Sequence, residues 1–143
     1  RIANALATLV ANIDVLNEKF ANNQREQLTD MLIPTFKALK EGFDARQFQY
    51  HSPPATSFLR LHNPEKYGDD LSSFRNTVVA TNASKKNIVG LEKGEAGLGI
   101  RGISPVFFAG NHIGSVEFGM SFGQPLKNLV QQLRANHYYI TMN

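Results

Sequence analysis

The sequence predicts an α+β domain, in which an antiparallel sheet of about five strands is packed on one side by helices, with a long N-terminal helix and a C-terminal helix. Over the first 44 residues, apolar side chains recur every three or four positions, as in helices. From Arg46 onward they alternate with polar side chains, as in strands. Ala109-Gly110-Asn111 predicts a hairpin between two of these strands. We therefore divide the chain into N-terminal helices over residues 1–44 and a strand-rich core over residues 45–143.

The N-terminal helix is predicted from a row of apolar residues with the spacing of a heptad repeat. The row consists of Ile2, Leu6, Leu9, Ile13, Leu16 and Phe20. Such a row indicates either a helix packed on its own domain or a seam between two copies of the chain, and this one is too short to decide between them. Asn22 and Asn23 interrupt the pattern. A second helix should follow as far as Gly42, with a kink at Pro34.

The remaining elements follow from alternation and from turn residues. The predicted strands are residues 46–50, 56–62, 88–92, 98–108 and 112–122. A helix from Leu71 to Ala80, capped by Asp69 or Asp70, should separate the second strand from the third. A final helix is predicted to begin at Gln124-Pro125.

Three arginines suggest a site for an anion. Strand alternation places Phe58, Arg60 and His62 on one face. Arg75 should lie on the following helix and Arg101 on a later strand. Because guanidinium presents a planar fork that matches two carboxylate oxygens, these side chains could surround one carboxylate. Pairing with the chain's own carboxylates, which would only stabilise the fold, is the alternative for each arginine.

Glu117 and Tyr67 complete the set of candidate binding residues. Glu117 lies in an otherwise apolar strand and needs a partner, which Arg101 on the neighbouring strand or a ligand amine could supply. Amino acids and amines therefore stay open as ligands beside simple carboxylates. Tyr67 would add an aromatic edge. His62 is equally well explained as a core histidine bonded to the backbone.

Composition and motifs exclude several function classes. The net charge is only +3, and the 15 basic residues are dispersed among 12 acidic ones, so nucleic-acid binding is not expected. The absence of cysteine excludes disulfides, thiolate metal sites and cysteine nucleophiles. The four histidines lack metal-ligand spacing and no phosphate loop is present, so we expect neither metal nor cofactor. A hydrolase triad of Ser57, His62 and Asp69 is disfavoured because the first two point to opposite faces of a strand, and no catalytic activity is expected.

Three segments, Phe58–Arg75, Gly90–Val106 and Gly114–Gly119, give the chain a family resemblance. Together they resemble the extracytoplasmic Cache sensor domains of bacterial chemoreceptors, sensor histidine kinases and diguanylate cyclases. The resemblance implies a PAS-like sheet, a small-molecule pocket facing the helix and loop between the second and third strands, and flanking transmembrane helices outside this sequence. It further implies a periplasmic domain of an inner-membrane receptor. From the apolar row of the N-terminal helix we expect the intact receptor to be a homodimer.

The leading hypothesis is thus a sensor domain for a small organic anion, with a methyl-accepting chemotaxis receptor favoured over a kinase or cyclase. An interaction module, in which the N-terminal helix drives dimerisation, is the alternative. A pocket filled by the chain's own side chains would favour that alternative. The length of the chain favours a single Cache module over a double one.

Overall fold

Five antiparallel strands form one sheet in the computed structural model, which describes residues 1–94, 97–121 and 135. The helices are α1 (Ile2–Ala11), α2 (Asp14–Ala21), α3 (Arg25–Phe43) and α4 (Asn76–Ser84). The strands are β1 (Ala45–Ser52), β2 (Thr56–Arg60), β3 (Ile88–Gly94), β4 (Gly97–Phe108) and β5 (Asn111–Ser121). The predicted α+β class and five-stranded antiparallel sheet are confirmed. None of the described helices is long and apolar enough to cross a membrane.

The strands lie in the order β2-β1-β5-β4-β3. The predicted hairpin joins β4 to β5: Phe108 pairs with Asn111, and Ala109 and Gly110 have φ angles of 51° and 80°. Two residues with positive φ are what a two-residue turn needs to match the twist of the strands. The helix predicted from Gln124 and the last residue of the fifth predicted strand lie outside the described residues.

The helices occupy both faces of the sheet rather than one. α1, α2 and α3 cover a face that carries an aromatic core, in which the rings of Phe48 and Phe118 stack with centroids 4.2 Å apart. α4 covers the opposite face, where Val78 packs with Ile103 in a smaller apolar cluster. The second face is therefore enclosed as well, and polar groups on it are removed from water.

α1 lies directly on β4 because the contact residues are small. Ala3 and Ala7 are buried against the sheet. A Cβ atom at Gly102 would overlap the backbone of Ala3 and Asn4. The small residues of α1 therefore face the sheet, together with Val10, whereas Ile2 and Leu9 turn away from it.

The predicted apolar row is divided between two helices instead of following one long helix. α1 ends at Ala11 and α2 begins at Asp14. In α1, Ile2 and Leu9 are 57% and 63% exposed, whereas Leu16 and Phe20 of α2 are buried in the core. Packing on the own domain thus explains Leu6, Ile13, Leu16 and Phe20, whereas Ile2 and Leu9 leave an exposed apolar surface on α1 and the seam between two copies stays a prediction.

The helix predicted to begin at Leu71 begins five residues later. Asp70 Oδ1 accepts a hydrogen bond from the backbone N–H of Ser72 at 2.9 Å, which forms a turn rather than a helix cap. Residues 61–75, which we call the strap, run along the outer edge of β2 before α4 starts at Asn76. Arg75 is the last residue of the strap and the N-cap of α4.

Candidate functional site

The face of the sheet opposite α1 to α3 carries buried polar and charged side chains, and we call it the polar face. Directly paired residues of neighbouring strands share a face. Gln49 pairs with Glu117, and Gly119 pairs with both Gln47 and Arg101. The apolar Phe48 and Tyr50 alternate with Gln47, Gln49 and His51 along β1, so this strand contributes aromatic groups to one face and polar groups to the other.

Glu117 lies at the centre of the polar face and is fully buried. Its Oε2 accepts hydrogen bonds from Arg75 Nη2 and from Arg101 Nη1, the latter at 3.3 Å. His51 Nε2 lies 3.2 Å from Glu117 Oε1. The predicted contact between Arg101 and Glu117 is therefore present, and Arg75 of the strap joins it.

Glu92 on β3 provides a second carboxylate. It accepts hydrogen bonds from Arg75 Nε at 2.6 Å, from Thr77 Oγ1 at 2.6 Å and from the Thr77 backbone N–H at 3.2 Å. The last two contacts satisfy the N-terminal end of α4, where a negative charge is favourable. Arg75 thus bridges Glu92 and Glu117, and the four charges of Arg75, Arg101, Glu92 and Glu117 balance.

Arg101 is held in place by further neighbours that local sequence patterns do not identify. Its Nη1 donates to Gln47 Oε1, and its Nε donates to the backbone carbonyl of Glu92 at 3.1 Å. Gly119 leaves room for this contact, because a Cβ there would lie 2.6 Å from Gln47 Oε1. The alternation of glutamines with aromatic residues in β1 was the signal that could have identified Gln47.

The protonation of the central groups follows from their surroundings. Burial alone would raise the pKa of Glu117, but its hydrogen bond with His51 and the charges of Arg75 and Arg101 lower that pKa well below its ordinary value. Burial lowers the pKa of His51, so that the ring is neutral. No group of histidines and carboxylates among the described residues is arranged to hold a metal ion. The site is therefore suited to binding charged groups through fixed charges.

Arg60 and His62 have partners within the chain. Arg60 donates to both carboxylate oxygens of Asp69 at 2.7 Å and to the carbonyl of Lys66 at 2.9 Å. His62 Nδ1 accepts the backbone N–H of Phe48 at 3.3 Å. Burial and the charge of Arg60 lower the pKa of His62 to about 4. These contacts correspond to the alternatives of an internal ion pair and a backbone-bonded histidine.

Phe58 and Tyr67 lie around Arg25 instead of beside Arg75. The predicted alternation is wrong at Phe58, because a β-bulge between β1 and β2 adds one residue there and turns the ring toward the helices. The Phe58 ring lies 4.9 Å from that of Phe20. Tyr67 is half exposed, with its ring 3.8 Å from the Arg25 guanidinium. Of the predicted residues, the structure brings together Arg75, Arg101 and Glu117.

Comparison with solved structures shows sensor domains of the same fold. The sensor domain of the histidine kinase DctB from V. cholerae has a TM-score of 0.64 and 12% identity, over 84% of this chain and 48% of that one. An extracellular ligand-binding receptor from Desulfohalobium retbaense has a TM-score of 0.60 and 17% identity, over 90% and 26%. The ligand-binding domain of the Campylobacter jejuni chemoreceptor Tlp3, in complex with 4-methylisoleucine, has a TM-score of 0.53 and 16% identity, over 81% and 50%. The chain thus spans about half the length of these structures or less.

The family comparison covers nearly the whole chain. No curated protein matches the sequence. The family model dCache_3, described as the double sensory domain of two-component sensor kinases, matches residues 1–139. This match confirms the Cache resemblance of the sequence. The chain therefore belongs to the dCache_3 family of Cache sensor domains.

Proposed function

We propose that this chain is the ligand-binding part of a transmembrane signalling receptor, and that a small molecule with a carboxylate group binds on the polar face beside Arg75 and Arg101. The observation that carries the proposal is the convergence of two buried guanidinium groups on one point of the sheet. Guanidinium is the side chain best matched to a carboxylate. Cache domains are non-catalytic extracellular modules of membrane receptors, and we place this one in the periplasm.

Charge balance favours an amino acid over a simple organic anion. Arg75 and Arg101 are already neutralised by Glu92 and Glu117. An anion would add an uncompensated charge to a buried site, which is costly. An amino acid brings an ammonium group that Glu117 could bind while the arginines bind its carboxylate. The similar chemoreceptor domain Tlp3 was solved in complex with L-valine, which supports this class of ligand.

The family match favours a sensor kinase over a chemotaxis receptor as the protein that carries this domain. The sequence favoured a chemotaxis receptor, but the matching family is described from two-component sensor kinases. The structurally similar proteins include both a histidine kinase and a chemoreceptor. We therefore propose a sensor kinase ahead of a chemotaxis receptor.

A ligand screen with matched derivatives tests the binding proposal. Thermal shift against the L-amino acids and small organic acids identifies a ligand, because binding to the folded state alone raises the melting temperature. Calorimetric titration then compares a bound amino acid with its N-acetyl form, which lacks the ammonium, and its amide, which lacks the carboxylate. Loss of binding in both derivatives supports an amino acid site. Retained binding of the N-acetyl form would instead show a simple carboxylate site.

Variants locate the site. Arg101→Met should weaken binding by about 2–5 kcal/mol, the cost of removing one partner of a buried charged contact. Arg46→Met is the matched control, since Arg46 is exposed and pairs with Asp44 at 2.9 Å, away from the polar face. Equal affinity of the two variants would place the ligand elsewhere.

An interaction module is the second candidate, and α1 favours it. Ile2 and Leu9 are more than half exposed, and the arginines of the polar face already have partners in the chain. If α1 is a dimer seam, Leu9→Cys should form a disulfide between two copies of the chain. Thr8→Cys should not, because the Thr8 hydroxyl faces Asn87 at the side of α1, at 2.8 Å. Crosslinking of Thr8→Cys in preference to Leu9→Cys would argue against this seam.

A further inference from the structure

The strap is attached to the edge of the sheet by backbone hydrogen bonds and by Arg60 of β2, which binds the Asp69 carboxylate and the Lys66 carbonyl. The N–H of Gly68 donates to the Ser57 carbonyl at 2.7 Å, and the N–H of Ser57 donates to the Asp69 carbonyl at 3.0 Å. The N–H of Leu71 donates to the Ala55 carbonyl at 2.8 Å. The strap thus lies beside β2 like a short additional strand, and its separation would break these contacts while leaving the pairing among the five strands in place.

One end of the strap reaches the polar face. Leu71 packs in the small apolar cluster with Ala55, Val78 and Ile103. The N–H of Arg75 donates to the Leu71 carbonyl at 2.9 Å, and the Arg75 side chain contacts Glu117 and Glu92. A ligand that binds Arg75 must therefore exchange with contacts that hold this end of the strap in place.

The middle of the strap is attached to the helix layer through Arg25. The guanidinium of Arg25 lies between two rings, with its central carbon 4.5 Å from the centroid of Phe58 and 3.8 Å from that of Tyr67. Its Nε donates to the Phe58 carbonyl at 2.7 Å. Arg25 is the first residue of α3, Phe58 is the bulge residue of β2, and Tyr67 belongs to the strap. One cation thus joins the helix layer, the sheet edge and the strap.

From this connection we infer that the strap couples the polar face to α3, with Arg25 as a positioning residue. Displacement of the strap by a ligand at Arg75 moves Tyr67 off the guanidinium, and the first turn of α3 loses its contact with the sheet edge. Conversely, the Arg25 contact holds the strap closed and keeps Arg75 on the polar face. This inference rests on the proposed ligand site for its biological role, but its physical content can be tested without a ligand.

Amide hydrogen exchange, resolved by residue with NMR, measures the coupling in the 143-residue chain. In Arg25→Ala, the amides of Gly68 and Leu71 should exchange about tenfold faster or more, because the variant removes a cation–π contact and a hydrogen bond to a charged group. The amide of Phe118 in the central strand β5 reports global unfolding and should accelerate by about the same factor, since the contacts of Arg25 are absent from the unfolded chain as well. Arg46→Ala is the control for loss of an arginine and should change none of these rates.

Coupling must be reciprocal, and that provides the decisive second measurement. In Arg75→Met, the amide of Leu28, which donates to the Gln24 carbonyl at 3.0 Å in the first turn of α3, should exchange faster by about the same factor as Phe118, since the contacts of Arg75 are lost both when the strap opens and on global unfolding. An unchanged Leu28 rate beside an accelerated Phe118 would overturn the coupling, as would strap amides that keep their rate in Arg25→Ala while Phe118 accelerates. Neither result would affect the ligand site, which depends on Arg101 and the calorimetric comparison.

Discussion

Replacing Glu117 with glutamine is the sharpest test of the polar face. Glu117 is fully buried and ionised, and it contacts the guanidinium groups of Arg75 and Arg101. Glutamine has nearly the same shape but carries no charge, so the balanced set of two arginines and two glutamates acquires a net charge of about +1 in a buried environment. Removing one partner of a buried ion pair costs about 3–5 kcal/mol. Total stability of a domain is only about 5–15 kcal/mol, so the loss should be large but leave the variant folded.

Urea unfolding followed by circular dichroism measures this loss. With an m-value of about 2 kcal/mol/M, the midpoint for Glu117→Gln should fall by about 2 M at unchanged m. Asp44→Asn is the matched control: the side chains of Asp44 and its partner Arg46 are 38% and 55% exposed, so loss of this ion pair should cost only about 1 kcal/mol or less. Adding Arg75→Met to Glu117→Gln restores the balance of charge. The double variant should therefore lose less stability than the two single changes added together, by about 1 kcal/mol or more.

The same variant has a pH signature. The pKa of Glu117 in the folded chain is below its ordinary value of 4.5, so the unfolded chain binds the proton first as pH falls. The stabilisation by Glu117 is complete above pH 4.5 and decreases below it. The free energy of unfolding of Glu117→Gln should therefore fall less steeply with decreasing pH below 4.5 than that of the unaltered chain. A loss of less than about 1 kcal/mol at neutral pH, or strict additivity in the double variant, would refute the buried ion-pair cluster.

The other predictions concern His62 and two glycines. The pKa of His62 is lowered from 6.5 to about 4, so its contribution to stability is present above pH 6.5 and is lost as pH falls to 4, by about 3 kcal/mol. His62→Gln retains an acceptor for the Phe48 N–H, and its urea midpoint should depend less on pH between 7 and 4 than that of the unaltered chain. An unchanged pH dependence would contradict the lowered pKa of His62. Gly102→Ala should destabilise by about 1–3 kcal/mol through overlap with the backbone of α1. Gly42→Ala, in open space near the end of α3, should instead stabilise by about 0.5–1 kcal/mol, and equal effects at the two glycines would argue against the close contact.

Local patterns predicted the elements of this fold better than they predicted its site. The strands and the turn at Ala109 and Gly110 were confirmed because alternation and positive φ are properties of a few neighbouring residues. The contact of Arg101 with Glu117 could be predicted because their strands are joined by that hairpin. These features need no knowledge of the rest of the chain.

Contacts between distant segments were the part that sequence could not supply. The bulge that turns Phe58 toward the helices depends on the register of β2 against β1. The cap on α4 comes from Glu92, on a strand later in the chain, so the start of that helix was predicted too early. The orientation of α1 depends on Gly102, about a hundred positions away, because only the absence of a side chain there lets the helix lie so close.

The direct contact of α1 with β4 has a mechanical consequence. In most contacts between a helix and a sheet, long side chains separate the two backbones. These side chains can change rotamer, which lets the helix shift by about an ångström or two. No side chain lies between Gly102 and the backbone of Ala3 and Asn4, so a shift of α1 along the sheet would bring main-chain atoms into steric overlap. α1 and the sheet should therefore move together as one rigid body. When the sheet moves, the outer surface of α1, where Ile2 and Leu9 are exposed, should move by the same distance.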